Sequence, residues 1–280
     1  MAIEEQLARL RAGVESWNEW RESAPSVPID LSQANLSNVV LTGANLSGAN
    51  LSRVNFIGAT LSETNLTQAD LSRADLSGAD VNKANLTGAI LSGANLLGAD
   101  LAETILSQAM MAGVNLNRSD LSNVNLSGCD LSKASLIGVE MSRADLSGAN
   151  LSEANLKRAE LQRTKLAQAN LAGANLEDAR LLSADLSDAN LEGTNLRGAR
   201  LNRANLAKAT FAAANLREAN LLGANLTAAA LTEAQLNQVN FSGANLTAAN
   251  FQGADIEGAV LEGATLQETI MPDGTVRSES

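Results

Sequence analysis

Large apolar residues recur at every fifth position over most of this chain. The series begins at Leu31, continues through Leu36 and Leu41, and ends at Met271 without an insertion or a deletion. A small residue, usually Ala, stands two positions before each of them except Leu31, which Ile29 precedes, and Asn or Asp commonly lies between the two. The large apolar position is called i below, so the inner pair of each five-residue unit is i−2 and i.

A period of five fits neither an α-helix, whose faces repeat every 3.6 residues, nor a long strand, whose faces repeat every two. In a short extended segment, however, the side chains of i−2 and i point to the same side. Each unit is therefore predicted to be a very short strand followed by a corner, and the frequent Gly at i+2 suits a corner. Repeated corners predict a solenoid whose coils are hydrogen-bonded to one another at about 4.8 Å.

These units, such as the one at Ala44–Gly48, resemble the pentapeptide-repeat family, and the resemblance covers residues 30–271. It implies an all-β solenoid, a right-handed quadrilateral parallel β-helix with four units per coil and with i and i−2 facing inward. The periodicity alone leaves the number of units per coil open. With four units per coil, the repeats would form about 12 coils and a rod of roughly 58 Å.

Residues 1 to about 24 break the five-residue rule and predict one α-helix, which Pro25 and Pro28 end. Residues 1–29 are thus predicted to be a capping helix and linker that cover the open edge of the first coil. A helix that binds a partner is the alternative. The segment Gly13–Arg21 resembles the leader of many cyanobacterial members of the family. The predicted apolar stripe consists of Ile3, Leu7, Leu10, Val14 and Trp17, and the predicted cap residues are Trp17 and Trp20.

The unbroken repeat over residues 30–271 predicts one domain, followed by a polar tail at 272–280 that begins with a turn and is not a helix. Such a tail would leave the last coil, around Leu261 and Leu266, uncovered. We therefore expect either a monomer or an end-to-end homodimer.

The charge balance limits the expected partners. The chain has 20 basic and 31 acidic residues, a net charge of −11 and no Tyr. A general nucleic-acid binder would show a basic face and aromatic stacking platforms, so direct nucleic-acid binding is not expected. The sequence shows no apolar run of about 18 residues and no basic leader with an apolar centre, which predicts a cytoplasmic protein without a membrane span.

If residues 20 apart stack on adjacent coils, one outward column at i−1 changes from acidic to basic along the rod. Its carboxylates, about 5 Å apart, could share a proton or a cation or act as a hydrolytic pair. The favoured interpretation is a solvated face on which Lys83, Arg143 and Arg163 relieve the repulsion between the carboxylates. This candidate charged face consists of Asp80, Asp100, Asp120, Glu140, Glu160, Arg180 and Arg200.

No catalytic, cofactor-binding or metal site is predicted. An interior filled by Leu and Ala leaves no pocket, and the chain has no His to serve as a general base or metal ligand. No phosphate loop, paired-cysteine site or nucleophile elbow is present. The single Cys129 stands at an i−2 position and is interpreted as a core residue.

A few large apolar residues stand at outward positions, where the repeat pattern does not require apolar side chains. The candidate interaction surface taken from these consists of Ile90, Leu97, Ile105 and Met110, with Ile90 and Met110 expected to be direct neighbours.

Two functions are compatible with these features. The first is a non-enzymatic scaffold, a rigid rod whose flat faces bind an unidentified protein. The second follows from the resemblance, because some family members are acidic rods that mimic DNA, bind DNA gyrase and confer resistance to fluoroquinolones. The scaffold is favoured because the carboxyl-terminal dimerisation extension and the projecting loops of such proteins are missing here. The negative surface of a DNA mimic would also be interrupted here by a band of basic residues. The band consists of Arg180, Arg197, Arg200, Arg203 and Arg217.

Overall fold

The computed structural model describes residues 2–278 of the chain. Two helices lie at the amino end, α1 (Glu4–Ala12) and α2 (Val14–Ser23), and two short strands lie at the carboxyl end, β1 (Thr269–Ile270) and β2 (Val276–Arg277). Between α2 and β1 the backbone forms a β-helix whose coils are joined by bridges of one residue each.

The period of the β-helix is 20 residues. Each i−1 residue pairs in parallel with the residue 20 positions later, from Asp30 with Asn50 to Asn250 with Ile270. Twenty residues are four units, so each coil has four sides. The number of units per coil, which the periodicity left open, therefore agrees with the expectation from the family resemblance.

Hydrogen bonds between coils have a fixed direction. The N–H of position i donates to the next coil, as from Leu41 to Thr60 O (2.8 Å), and the N–H of i+2 does the same. The N–H of i−1 donates to the previous coil, as from Thr60 to Val39 O (2.9 Å). Each unit thus presents two donors and one acceptor towards the carboxyl end, and two acceptors and one donor towards the amino end.

The interior of the rod is filled by the i and i−2 side chains, as predicted. Leu86 and Ala84, for example, are fully buried. Where Thr replaces Ala, its hydroxyl donates to a backbone carbonyl, either of the preceding coil, as from Thr164 to Met141 O (2.8 Å), or of its own coil, as from Thr194 to Leu191 O (2.6 Å). Such bonds satisfy polar groups that burial would otherwise penalise. Cys129 is equally buried, and burial raises the pKa of its thiol, so the core interpretation is confirmed.

The corners require a left-handed backbone conformation at i+2. Gly43 has φ 72°, and the same region is adopted by Arg53 (56°), Glu63 (59°) and Lys83 (58°). This conformation costs a residue with a Cβ roughly 1–2 kcal/mol. Gly is therefore favoured at i+2, but the bonds between coils impose the same corner on residues that do not favour it.

The Asn or Asp at i−1 closes each corner. Its Oδ1 accepts the N–H of position i+1, as in the bond from Ser47 N to Asn45 Oδ1 (3.2 Å). Stacked amides also bond from coil to coil, as from Asn115 Nδ2 to Asn95 Oδ1 (2.8 Å). The turn-closing bond and the coil-to-coil amide bond together explain why Asn and Asp are preferred at i−1.

The prediction of one helix over residues 1 to about 24 is wrong, because the helix is broken at Gly13. Gly13 has φ 141° and ψ 151°, a conformation that residues with a Cβ avoid. The break turns α2 against α1, with Leu7 and Trp17 buried in the same core as the first coil. Ile3, which was expected in the buried stripe, precedes α1 and is exposed.

Side chains of α1 and α2 bind backbone groups of the first coil. Two amide oxygens also accept coil N–H groups, from Asp30 N to Gln6 Oε1 and from Asn45 N to Asn18 Oδ1, each at 2.9 Å. The helices therefore meet three of the four sides of the amino-terminal edge with matching polar atoms, those that begin at Asp30, Asn35 and Asn45. The side-chain donors and their acceptors are Arg11 Nη2 to Asn35 O (2.9 Å), Trp17 Nε1 to Asn45 O (2.9 Å), Asn18 Nδ2 to Gly43 O (3.0 Å) and Arg21 Nη2 to Ser47 O (3.0 Å).

At the other end the chain turns at Pro272–Gly274 and adds β2 antiparallel to β1, with Thr269 opposite Arg277 and Ile270 opposite Val276. Over residues 272–278 the tail is therefore a turn and a short strand, without a helix. Residues 279–280 of the predicted tail lie outside the described residues.

Candidate interaction surfaces

The charged column lies on one side of the rod, as its 20-residue spacing predicts. Asp80 is bridged to Asp100 and Asp100 to Asp120, and the series continues through Glu140 and Glu160. Arg180 and Arg200 follow on the next coils, and Arg180 Nη1 lies 3.1 Å from Glu160 Oε1. The face therefore changes sign between Glu160 and Arg180.

The three aspartates of this column have a structural role. Each Oδ1 accepts the N–H two positions later, at 3.0 Å for Asp80, 2.9 Å for Asp100 and 2.8 Å for Asp120. Ser62 Oγ also donates to Asp80 Oδ2 (2.8 Å). These carboxylates close corners as Asn does elsewhere. Among residues 2–278 no group of three or more His, Cys, Asp or Glu is arranged to hold a metal ion.

Ion pairs between coils are concentrated in the second half of the rod. Six such pairs lie within residues 133–218. In the shortest of them, Lys157 and Glu177 are 2.8 Å apart. Four arginines near the charged column form no such pair with a described residue, so this face carries unpaired positive charge in both its acidic and its basic part. They are Arg143, Arg163, Arg200 and Arg203.

Of the four candidate apolar residues, the structure places Ile90 and Met110 side by side. They are bridged to each other on one side of the rod, between Asp70 and Asp130. Met110 is 48 % exposed and Ile90 is half-buried. The pair interrupts a column that is otherwise mostly Asn and Asp, and thus removes the side-chain acceptors that close corners elsewhere.

Ile105 and Leu97 do not lie on that side, so the four residues do not form one patch. Ile105 is bridged to Asn85 and Asn125 on the neighbouring side and is 48 % exposed. Leu97 stands at a corner that follows the column of Asn95, away from Met110. The 20-residue period causes this separation, because equivalent positions of different units lie on the same side only when their numbers differ by multiples of 20.

The bonds between coils are incomplete beside Ile105 and Met110. Within residues 101–130, five N–H groups fall short of the inter-coil bond that their positions make elsewhere, although the bridges from Ile105 to Asn125 and from Met110 to Asp130 remain. Thr104 and Val124 stack here, the only two β-branched residues at adjacent i−2 positions of the repeat. Their bulk accounts for the weakened bonds, because overfilling a packed core displaces the backbone. The five N–H groups belong to Glu103, Leu106, Gln108, Asn125 and Asp130.

Hollows on the sides of the rod are shallow and polar. One is lined by Arg158, Glu160, Asp178, Arg180 and Arg200, and their charges are largely paired within it. An apolar hollow lies instead at the carboxyl end of the rod. Over residues 2–278 no helix is long and apolar enough to cross a membrane.

A parallel β-helix with a five-residue unit is the class of protein that these features define. The family model for pentapeptide repeats matches the chain in 8 copies between residues 29 and 263. The chain belongs to the pentapeptide-repeat family, and membership implies the right-handed sense of the β-helix.

Solved structures of the same family are similar to this chain. HetL from the cyanobacterium Nostoc sp. strain PCC 7120, which is involved in regulating heterocyst differentiation, is 35 % identical, with 99 % of this chain and 100 % of HetL covered and a TM-score of 0.35. Rfr23 from the cyanobacterium Cyanothece 51142 is 32 % identical over 43 % of this chain and 90 % of its own, with a TM-score of 0.26.

QnrB1, a plasmid-mediated fluoroquinolone resistance protein, is 23 % identical over 57 % of this chain and 87 % of its own, with a TM-score of 0.31. No curated protein matches the chain.

Proposed function

We propose that this protein is a non-enzymatic scaffold, a rod of about 12 coils closed at its amino end by α1 and α2, which binds a protein partner through one side. The observation that carries the proposal is the apolar pair Ile90 and Met110. It replaces the polar ladder in the same stretch where bonds between coils are missing. Departures from otherwise consistent local rules are expected at functional sites.

Ile105 belongs to the proposed surface, and Leu97 does not. Ile105 lies on the neighbouring side, beside the same stretch of incomplete bonds between coils. A partner that contacts both sides of the corner would therefore bind Ile105 and Met110 together. The N–H group of Gln108, which makes no bond to the next coil, adds a donor for the partner. Exposed apolar groups rimmed by polar ones are typical of protein interfaces.

An enzymatic role is not proposed. Over residues 41–254 the inner positions are filled by buried side chains, and the aligned carboxylates Asp80, Asp100 and Asp120 are occupied in closing corners.

The test is affinity capture from a lysate of the source organism with the Ile90→Asp/Met110→Asp variant. The matched control is Leu182→Asp/Leu222→Asp, which removes two apolar side chains exposed by 46 % and 45 % at corners elsewhere. We expect a partner that the first variant loses and the control retains. Equal recovery by both variants would contradict the proposed surface.

The second candidate is a DNA-mimicking inhibitor or protector of DNA gyrase. It is favoured by the aligned column Asp80, Asp100 and Asp120, and it is opposed by the unpaired arginines Arg143, Arg163, Arg200 and Arg203 on the same face. A gyrase supercoiling assay separates the two functions. Inhibition at equimolar protein, abolished by Asp100→Asn/Asp120→Asn, would replace the scaffold proposal.

A further inference from the structure

The last coil ends in a row of unpaired hydrogen-bond donors. Along the rod the N–H groups of i and i+2 donate to the following coil, and no coil follows here. On three of the four sides these groups therefore have no acceptor among residues 2–278. They belong to Ile256, Gly258, Leu261, Gly263, Leu266 and Glu268.

On the fourth side the chain itself shows what this edge accepts. Strand β2 returns from the turn at Pro272–Gly274 and pairs with β1, so that Val276 lies opposite Ile270. The edge thus binds an added extended strand, and β2 is too short to cover the other three sides. An exposed edge with unpaired backbone groups is a site at which proteins add strands.

The floor of this edge is apolar. Elsewhere the i side chains are fully buried, but Ile256 and Leu261 are partly open to solvent. They surround a hollow at the end of the rod, which an added strand would cover with alternate side chains. The lining residues are Phe241, Phe251, Ile256, Ala259, Leu261, Leu266 and Met271.

The rim of this edge is acidic. Glu257 and Glu262 are exposed at i+1 positions of the last coil, and Glu268 and Asp273 follow them. Arg277 is the one basic residue after Arg217 in the part of the chain that the structure describes. A partner segment must therefore bring positive charge to be complementary.

A second copy of this chain does not fit the same edge. Two carboxyl ends brought together would oppose donors to donors and acidic rims to each other. The amino end does present acceptors, but α1 and α2 lie against it, and Arg11, Trp17 and Arg21 already bind three of these carbonyls. The end-to-end homodimer expected as an alternative is therefore disfavoured.

We propose that the carboxyl-terminal edge of the rod binds an extended, basic segment of a partner protein. The segment adds a strand to the unpaired N–H row, places alternate apolar side chains over Ile256 and Leu261, and pairs its Lys or Arg residues with Glu257 and Glu262. This inference is independent of the proposed surface at Ile90 and Met110, and either site can fail without the other.

The test uses a labelled peptide that alternates Lys with Val or Leu, compared with a peptide in which Glu replaces Lys. We expect the basic peptide to bind, and the Glu257→Lys/Glu262→Lys variant to weaken it about tenfold at low salt. The matched control is Glu192→Lys, because Glu192 is also an exposed i+1 residue followed by Gly, but lies in the middle of the rod. Its affinity should stay within about twofold.

Residue-resolved hydrogen exchange locates the peptide. We expect the N–H groups of Leu261, Gly263 and Leu266 to exchange rapidly in the free protein and to be protected in the complex. Binding without protection at these residues, or equal weakening by Glu192→Lys, would overturn the proposal. So would a light-scattering mass of twice 29.0 kDa that Leu261→Lys returns to one copy, because the occupant would then be a second copy.

Discussion

The two ends of the rod are opposite in hydrogen-bonding character and are closed by different means. The amino end presents mainly carbonyl acceptors, and donors from Arg11, Trp17 and Arg21 meet them. The carboxyl end presents mainly N–H donors, and the chain covers one of its four sides with β2. The β-helix thus has a polarity like that of an α-helix, whose two ends also expose donors and acceptors separately.

Because of this difference, the two ends should contribute unequally to stability and to binding. An edge that is capped by buried side chains resists fraying, whereas an open edge is the place where unfolding begins and where a partner can add. In a repeat protein each coil contacts only its neighbours, so such end effects remain local. Substitutions at the two ends and in the middle of the rod should therefore differ in effect.

Trp17→Ala should have the largest effect. The indole is fully buried between the helices and the first coil, and its Nε1 binds Asn45 O. Truncating a buried Trp typically costs about 3–5 kcal/mol. Urea denaturation should show early loss of the amino-terminal helices. Trp17→Phe retains most of the packing and should cost about 1–3 kcal/mol for the unsatisfied carbonyl. Equal losses for both variants would mean that the hydrogen bond from Trp17 Nε1 to Asn45 O, and not the packing of the ring, holds the two helices in place.

The same substitution should have different effects in the middle and at the open end. Leu146→Ala removes a fully buried side chain and should cost about 2–5 kcal/mol. Leu261→Ala removes a partly exposed one and should cost about half as much or less. Equal shifts of the two urea midpoints would show that the last coil is covered in solution.

Gly13→Ala should destabilise the amino end alone. At φ 141° a residue with a Cβ is strained by about 1–3 kcal/mol, although no atom lies within 4 Å of the added group. We expect faster hydrogen exchange in α1 and α2 with unchanged exchange at Leu146. Ala12→Gly, one residue earlier within α1, is the control for a general loss of helix stability.

Acid should weaken both ends slightly. Hydrogen bonds from the side chain and backbone of Ser32 lower the pKa of Asp30, and those of Thr275 lower the pKa of Asp273. A carboxylate with a lowered pKa stabilises the fold above its unfolded value of about 3.9 and loses this contribution as the pH falls through its folded value. Thermal melts between about pH 5 and pH 2 should therefore decline.

Asn retains the Oδ1 acceptor without titrating and serves as the control. Asp30→Asn should reduce the pH dependence more than Asp273→Asn, because Asp30 supports the coil beneath the cap and Asp273 supports only the β2 turn. A larger effect from Asp273→Asn would indicate that β2 stabilises the last coil more than its short pairing suggests.

Particular residues show how far the candidate surfaces could be predicted. The neighbours Ile90 and Met110, and the column from Asp80 to Arg200, follow from numbers that differ by multiples of 20. The separation of Leu97 from Met110 follows from the same rule. The missing bonds beside Thr104 and Val124 could not be read from either residue alone, since each is tolerated when Ala stands on the adjacent coil.

The sequence by itself determined which residues face inward, because a five-residue unit with one large and one small apolar position allows one register. It also determined the corners and the Asn and Asp columns, which depend on local turn chemistry. The tertiary structure decided the four-sided coil, the break at Gly13 and the opposite character of the ends. Bonds between coils join backbone groups that every residue carries, so their number, direction and free ends appear only once the chain has coiled.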